Sequence, residues 1–184
     1  HKEVVVVTSY DMEEDIPKFE KLGVKKIISE PVFNSDLRKL LSDKKNKARL
    51  KKDKNIFKGR KILIVEDNEI NIDIISDYLD DVEIKYDSVR NGLDAYNRIK
   101  QNHSYDCVLM DIKMPVMDGY EATRKIRALD DEYVRRLPII AMTANAFAED
   151  VQKSKEAGMN DHITKPVNLE LFYSVIKKHM IGEE

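Results

Sequence analysis

Between residues 60 and 184 the chain alternates short apolar runs with longer segments whose apolar residues recur every three to four positions. The short runs predict strands over Lys61–Val65, Glu83–Asp87, Asp106–Met110, Pro138–Met142 and Asp161–Thr164. The longer segments predict helices over Asn68–Leu79, Gly92–Gln101, Gly119–Leu129, Phe147–Ala157 and Leu169–Met180. The first helix gathers Ile70, Ile74, Ile75, Tyr78 and Leu79 on one stripe, and the last gathers Leu169, Phe172, Val175 and Ile176. Gly158, directly after Ala157, reads as a helix stop. Strands and helices in alternation imply right-handed crossovers, so the pattern predicts an α/β fold: a doubly wound, five-stranded parallel sheet with helices on both faces.

Four of the apolar runs end in a polar residue. Ile62–Val65 leads into Glu66 and Asp67, Cys107–Met110 into Asp111, Ile139–Met142 into Thr143, and His162–Thr164 into Lys165-Pro166. In parallel α/β sheets, residues just past the carboxyl ends of strands converge on one crevice. Singly, each residue has a structural role open to it. Asp67 and Asn68 can cap a helix, Asp111 can serve a turn before Pro115, Thr143 can cap the following helix, and Lys165 can be surface charge. Jointly they compose a phosphoryl-transfer site. A carboxylate such as Asp111 can attack phosphorus and form a mixed anhydride. Because that attack brings anions together, it calls for a hard, oxygen-loving cation such as Mg2+. Asp67 and Asp111 suit direct ligation, and Glu66 suits ligation directly or through a water. Lys165 offers a cation and Thr143 a hydroxyl to phosphoryl oxygens, and Lys165 pairs with Asp111 when no phosphoryl group is present. Ala144, with only a methyl group, leaves the pocket open.

The N-terminal segment repeats part of this pattern. Val4–Thr8 echoes Ile139–Thr143; Thr8 stands fifteen residues before Gly23 as Thr143 stands fifteen before Gly158, and Gly23 and Gly158 each stand eight before a proline, Pro31 and Pro166. Two matched spacings point to an internal duplication, in which residues 1–41 are the C-terminal half of a degenerate copy. That copy carries Glu30 in place of Lys165 and Ile27 in place of His162, and two strands with two helices are too few for a core, so it is expected to continue upstream or to dock. Residues 42–60, dense in Lys and Arg, read as a solvated linker, and residues 61–184 as the intact domain. No aromatic stacking platform accompanies the basic run, which argues against nucleic acid. A net charge of −2 with both signs mixed favours neither nucleic acid nor an anionic membrane. The lone Cys107 allows no intrachain disulfide, which fits a reducing, cytoplasmic setting, and no apolar stretch is long enough to span a membrane.

The stretch Ile62–Asn71 resembles the first strand and acidic pocket of two-component receiver (response-regulator) domains, and the resemblance continues through Val108–Tyr120, Pro138–Ala146 and Ala157–Pro166. The wording Met110-Asp111-Ile112-Lys113-Met114-Pro115-Val116-Met117-Asp118-Gly119 is closest to receivers fused to hybrid sensor histidine kinases. The resemblance implies a flavodoxin-like receiver fold with strand order 2-1-3-4-5. It makes Asp111 the phosphoacceptor, taking its group from a phosphohistidine. Glu66, Asp67, Asp111 and the backbone carbonyl of Lys113 would hold Mg2+, with Thr143 and Lys165 sensing the phosphoryl group. The switch aromatic falls at His162, where the family usually has Tyr or Phe, and Lys165-Pro166 becomes a candidate cis peptide. Expected partners are a histidine kinase domain, in the same polypeptide or apart, and a histidine phosphotransfer protein docking over Asn68, Asn71, Ile72 and the loop after Lys165; a homodimer is a further expectation. The kinase's ATP-binding domain, and any membrane anchor, would belong to a parent protein. The alternative reading is a non-catalytic receiver-fold module for interaction or dimerisation. Aspartate-nucleophile hydrolases of the haloacid dehalogenase type fit less well, because Asp111 is followed by Ile112-Lys113 and not by a second Asp two residues on.

Overall fold

The computed structural model describes residues 55–144 and 149–182 in full, together with the backbone of 5–8, 26–29 and 148. The chain divides into two compact units, His1–Arg49 and Leu50–Glu184. In the first, β1 (Val5–Thr8) and β2 (Lys26–Ser29) pair in parallel, with Val5 opposite Lys26 and Thr8 opposite Ser29. The rest of the expected half-copy, Glu30 and Pro31 included, and most of the Lys-rich segment lie outside the described residues.

The second unit is built on five parallel strands: β3 (Lys61–Val65), β4 (Lys85–Val89), β5 (Cys107–Asp111), β6 (Ile139–Thr143) and β7 (Asp161–Thr164), in the spatial order β4-β3-β5-β6-β7. Counted from β3, that is the order 2-1-3-4-5. The helices are α1 (Glu69–Asp81), α2 (Gly92–Gln101), α3 (Gly119–Arg127), α4 (Glu132–Arg136), α5 (Ala148–Ala157) and α6 (Leu169–Ile181). Because the three central strands are covered on both faces, their side chains divide alternately between two apolar layers. Ile62, Ile64, Cys107, Leu109, Ile140 and Met142 face α1 and α6, where Tyr78, Leu79, Phe172 and Ile176 meet them. Leu63, Val65, Val108, Met110, Ile139 and Ala141 face the opposite layer, with Ala95, Ile99, Ala122 and Ile126 of α2 and α3. Each fully buried Ile or Leu in these layers contributes roughly 1.5–3 kcal/mol over leaving it in water.

Three features depart from the sequence expectation. The second strand begins at Lys85, two residues later than expected, because α1 runs on to Asp81 and Glu83 turns back at φ 60°, its N–H donating to Asp80 O. The short helix α4 was not expected; Asp131 nucleates it by accepting from the N–H groups of Tyr133 and Val134. Phe57, inside the segment read as linker, is fully buried in the α1/α6 layer. Other expectations hold. Gly158 ends α5 at φ 95°, with the next N–H, Met159, donating to Ser154 O, and the Lys165-Pro166 peptide is cis.

The far edge of the sheet is tied down electrostatically. The Asp161 carboxylate accepts from Lys178 Nζ (3.1 Å) and the His162 N–H (2.9 Å), and His179 Nε2 lies 2.9 Å away. Burial works to raise its pKa, but these partners outweigh burial and hold it below the usual carboxylate range. A depressed folded-state pKa adds stability that is present above the unfolded value and disappears as pH falls through the folded one. Asp161→Asn should therefore melt below the wild type at pH 5, with the gap closing as pH drops below about 4. Thermal melts across that window test this, and a gap that stays constant would refute it.

Candidate functional site

Strand register decides where the polar residues at the strand ends come together. Val65 pairs with Met110, Asp111 with Met142 and Thr143 with Thr164, so β6 and β7 end level, and β3 and β5 each end one residue before the next strand, at the same edge of the sheet. The ladder continues one step past the strands, the Glu66 N–H donating to Val89 O (3.0 Å) and the Lys165 N–H to Thr143 O (2.7 Å). Next in the chain, Asn68 caps α1 by accepting from the Ile70 N–H at 2.9 Å, which fixes the backbone on either side of Asp67.

One carboxylate oxygen each from Glu66, Asp67 and Asp111 lie within 4.8 Å of one another. Lys165 Nζ donates to Glu66 Oε2 at 2.6 Å and lies 3.0 Å from Asp111 Oδ1, bridging the end of β7 to the ends of β3 and β5. The expected Lys165–Asp111 pair is thus present, but the shorter contact is to Glu66. Glu66 is 1% exposed, Asp111 is buried and Asp67 is exposed. Burial pushes the Asp111 carboxyl above the usual carboxylate range; Glu66 nearby adds to the rise, while Lys165 and the Ile112 N–H pull against it. An all-oxygen acidic set with no thiolate or imidazole suits a hard divalent cation.

A cleft of about 860 Å³ opens over this cluster, lined by Asp67, Asp111, Lys113, Thr143, Ala144 and Lys165 among others. Thr143 and Lys113 therefore share the cleft with the carboxylates. His162, the expected switch position, is not among its lining residues; its side chain is about one-third exposed on β7, with Nδ1 3.9 Å from Asp161 Oδ1. The lining also includes Tyr120, Asp150 and Lys153, which the sequence pattern did not single out. Nor did it reveal the partner of Glu66: Asn71 Nδ2 donates to Glu66 Oε1 at 2.8 Å. Of the three residues expected to meet a partner, Asn68 is spent on the cap, Asn71 turns to Glu66, and Ile72 packs against the apolar layer.

Backbone proximity holds Asp111 in place. A Cβ at Gly119 would lie 2.2 Å from the carbonyl oxygen of Asp111, and the Gly119 N–H donates to Ile112 O at 3.0 Å. Only a residue without a side chain lets α3 start this close to the end of β5. Gly119→Ala is expected to cost about 1–3 kcal/mol of stability, read as a lower urea midpoint. An unchanged midpoint would mean that the strand end yields freely.

The sequence profile of the response regulator receiver domain matches residues 62–177. Hybrid signal transduction histidine kinase L of Dictyostelium discoideum is 45% identical over 122 residues, which cover 65% of this chain and 7% of that protein. The chain therefore spans under a tenth of the length of this relative. Among solved structures, the receiver domain of a Pseudomonas aeruginosa sensor histidine kinase, with a magnesium ion coordinated in its active-site cleft, is 39% identical with a TM-score of 0.61, covering 66% of this chain and 98% of that one. The receiver domain of the Saccharomyces cerevisiae response regulator Ssk1, in complex with the histidine phosphotransfer protein Ypd1, is 32% identical with a TM-score of 0.61, covering 67% and 90%. Among the described residues, no helix is long and apolar enough to cross a membrane.

Proposed function

This chain belongs to the response regulator receiver domain family, and from that premise we propose that it is a phosphorelay acceptor in which Asp111 takes a phosphoryl group from a phosphohistidine. The observation that carries this reading is Lys165, held 2.6 Å from Glu66 and 3.0 Å from Asp111 at the mouth of an acidic cleft. Asp111 Oδ is the nucleophile and forms an acyl phosphate. Lys165 and Thr143 bind the incoming phosphoryl oxygens; the ammonium that now neutralises two carboxylates is already where new negative charge will develop. Glu66, Asp67, Asp111 and the carbonyl of Lys113 are the groups that would hold Mg2+, which supplies charge neutralisation between nucleophile and phosphoryl group. The magnesium in the similar Pseudomonas receiver supports that assignment.

The donor and the next acceptor are proteins bearing a reactive histidine: a histidine kinase domain and a histidine phosphotransfer protein, as the Ypd1 complex of the similar yeast receiver suggests. Two large apolar side chains stand exposed in segments that leave the site, Ile70 at 69% in the first turn of α1 and Val116 at 78% in the loop after β5. Val116 also sits at φ 70°, unfavourable for a β-branched residue, within a tight turn closed by the Met117 N–H to Pro115 O. An apolar side chain kept exposed on strained backbone fits a contact with such a partner better than it fits a free surface.

Residues 1–41 are proposed as the tail of a second receiver. Partners in β1 and β2 are 21 residues apart (Val5 to Lys26), as are those in β6 and β7 (Ile140 to Asp161). Glu30 in place of the lysine would reverse the charge that holds a phosphoryl group, leaving packing, dimerisation or autoinhibition as its use.

Incubating the chain with Mg2+ and acetyl phosphate should give an adduct stable to acid and labile to base, and chelating the metal should suppress it. If no adduct forms with acetyl phosphate or with a phosphorylated histidine kinase, the interaction-module reading replaces this one.

A further inference from the structure

We infer that Asn71 is a positioning residue of the acidic pocket, fixing Glu66 so that a single carboxylate oxygen is left for Lys165 and the cleft. Glu66 is 1% exposed and has two oxygens to satisfy, and each has one donor: Asn71 Nδ2 to Oε1 at 2.8 Å, and Lys165 Nζ to Oε2 at 2.6 Å. The terminal torsion of a glutamate is broad, so without a donor on Oε1 the carboxylate plane could swing and blur the placement of Oε2. Asn71 is well placed to prevent this. It lies in the first turn of α1, behind the Asn68 cap, on a helix anchored by buried Ile75, Tyr78 and Leu79.

The chemistry of the donor matters as much as its position. A primary amide satisfies a buried lone pair without cancelling charge, so Glu66 keeps its full negative charge toward the cleft. A lysine or arginine at position 71 would neutralise the carboxylate and remove what a dication is attracted to. The amide also gives Glu66 a second partner. When Lys165 swings to a phosphoryl oxygen on Asp111, Asn71 remains on Glu66, and the carboxylate is not left buried without a donor.

This inference rests on the proposed reading of the pocket as a Mg2+ site. Outer partners of metal-binding carboxylates typically tune affinity by about 10–100-fold. Calorimetric titration of the whole chain with MgCl2 should show Asn71→Leu, similar in volume but without a donor, binding about tenfold or more weakly than wild type. Asn71→Ala carries the same expectation should the leucine variant fail to fold, and Asn71→Gln, which restores an amide, should recover part of the loss. Without metal, the Asn71 side-chain amide protons should be shifted and slow to exchange in nuclear magnetic resonance spectra, and Glu66→Ala should abolish both signatures. Folded Asn71→Leu or Asn71→Ala with wild-type Mg2+ affinity would overturn the inference and leave the phosphoacceptor reading standing. Failure of the wild type itself to bind Mg2+ would remove the reading underneath.

Discussion

Asp111→Asn should give no base-labile phosphoryl adduct under conditions that label the wild type. An amide oxygen is too weak a nucleophile to displace a phosphoryl group, and neither of the other two carboxylates in the acidic cluster is placed to substitute. Glu66 is buried with both oxygens already accepting hydrogen bonds, and Asp67 stands at the exposed rim of the cluster. The loss should come without unfolding. Burial raises the Asp111 pKa, so the folded state carries its ionised form at a cost, and a neutral side chain of the same shape avoids that cost while offering an oxygen to Lys165. Melting temperatures within a few degrees of wild type, beside absent label, would mark Asp111 as the acceptor. A variant that still labels would move the nucleophile elsewhere and sink the assignment.

Asp67→Asn should cripple Mg2+-dependent labelling while sparing the fold. Asp67 is exposed and lies in a knot of three carboxylates within 4.8 Å, so without metal its charge sits beside two of the same sign, Glu66 and Asp111. Neutralising it should leave metal-free stability unchanged or slightly higher, the opposite of what a structural carboxylate would do. Toward a hard dication the sign reverses. Outer partners alone are worth about 10–100-fold in affinity, so a direct carboxylate ligand should be worth at least the upper end of that range. Calorimetry should show Mg2+ affinity reduced by about a hundredfold, with labelling at low Mg2+ falling in step. Full-rate labelling by this variant would show that the metal is held by other groups.

Much of the site could be read from the chain because of how apolar strands end. Ile62–Val65 and Cys107–Met110 must be apolar on both faces to lie in the middle of a covered sheet, so the first polar residue after each run marks the rim of the molecule. Glu66, Asp67, Asp111, Thr143 and Lys165 were visible on that ground, and the structure brings Asp67, Asp111, Thr143 and Lys165 to one cleft, with Glu66 buried beside them on Lys165. The pairing of Asn71 with Glu66 was not visible. It depends on the direction α1 takes after its cap, and a gap of five residues has no fixed meaning across a strand-to-helix turn. Phe57 was hidden by company: one aromatic among lysines reads as linker until the layer that receives it is formed.

By itself, then, the sequence determined which segments are strands, that the sheet is parallel and covered, and which side chains stand at the strand ends, because local periodicity and turn chemistry act over only a few residues. Tertiary structure decided which of those ends are neighbours. Strand order put β3 beside β5 and set β6 and β7 in level register, so one ammonium from position 165 falls between carboxylates 99 residues away in the chain at Glu66 and nearer at Asp111. Burial of Glu66, the raised pKa of Asp111 and the second donor from Asn71 all arise from that packing. They are properties of space enclosed between elements, and no single segment contains them.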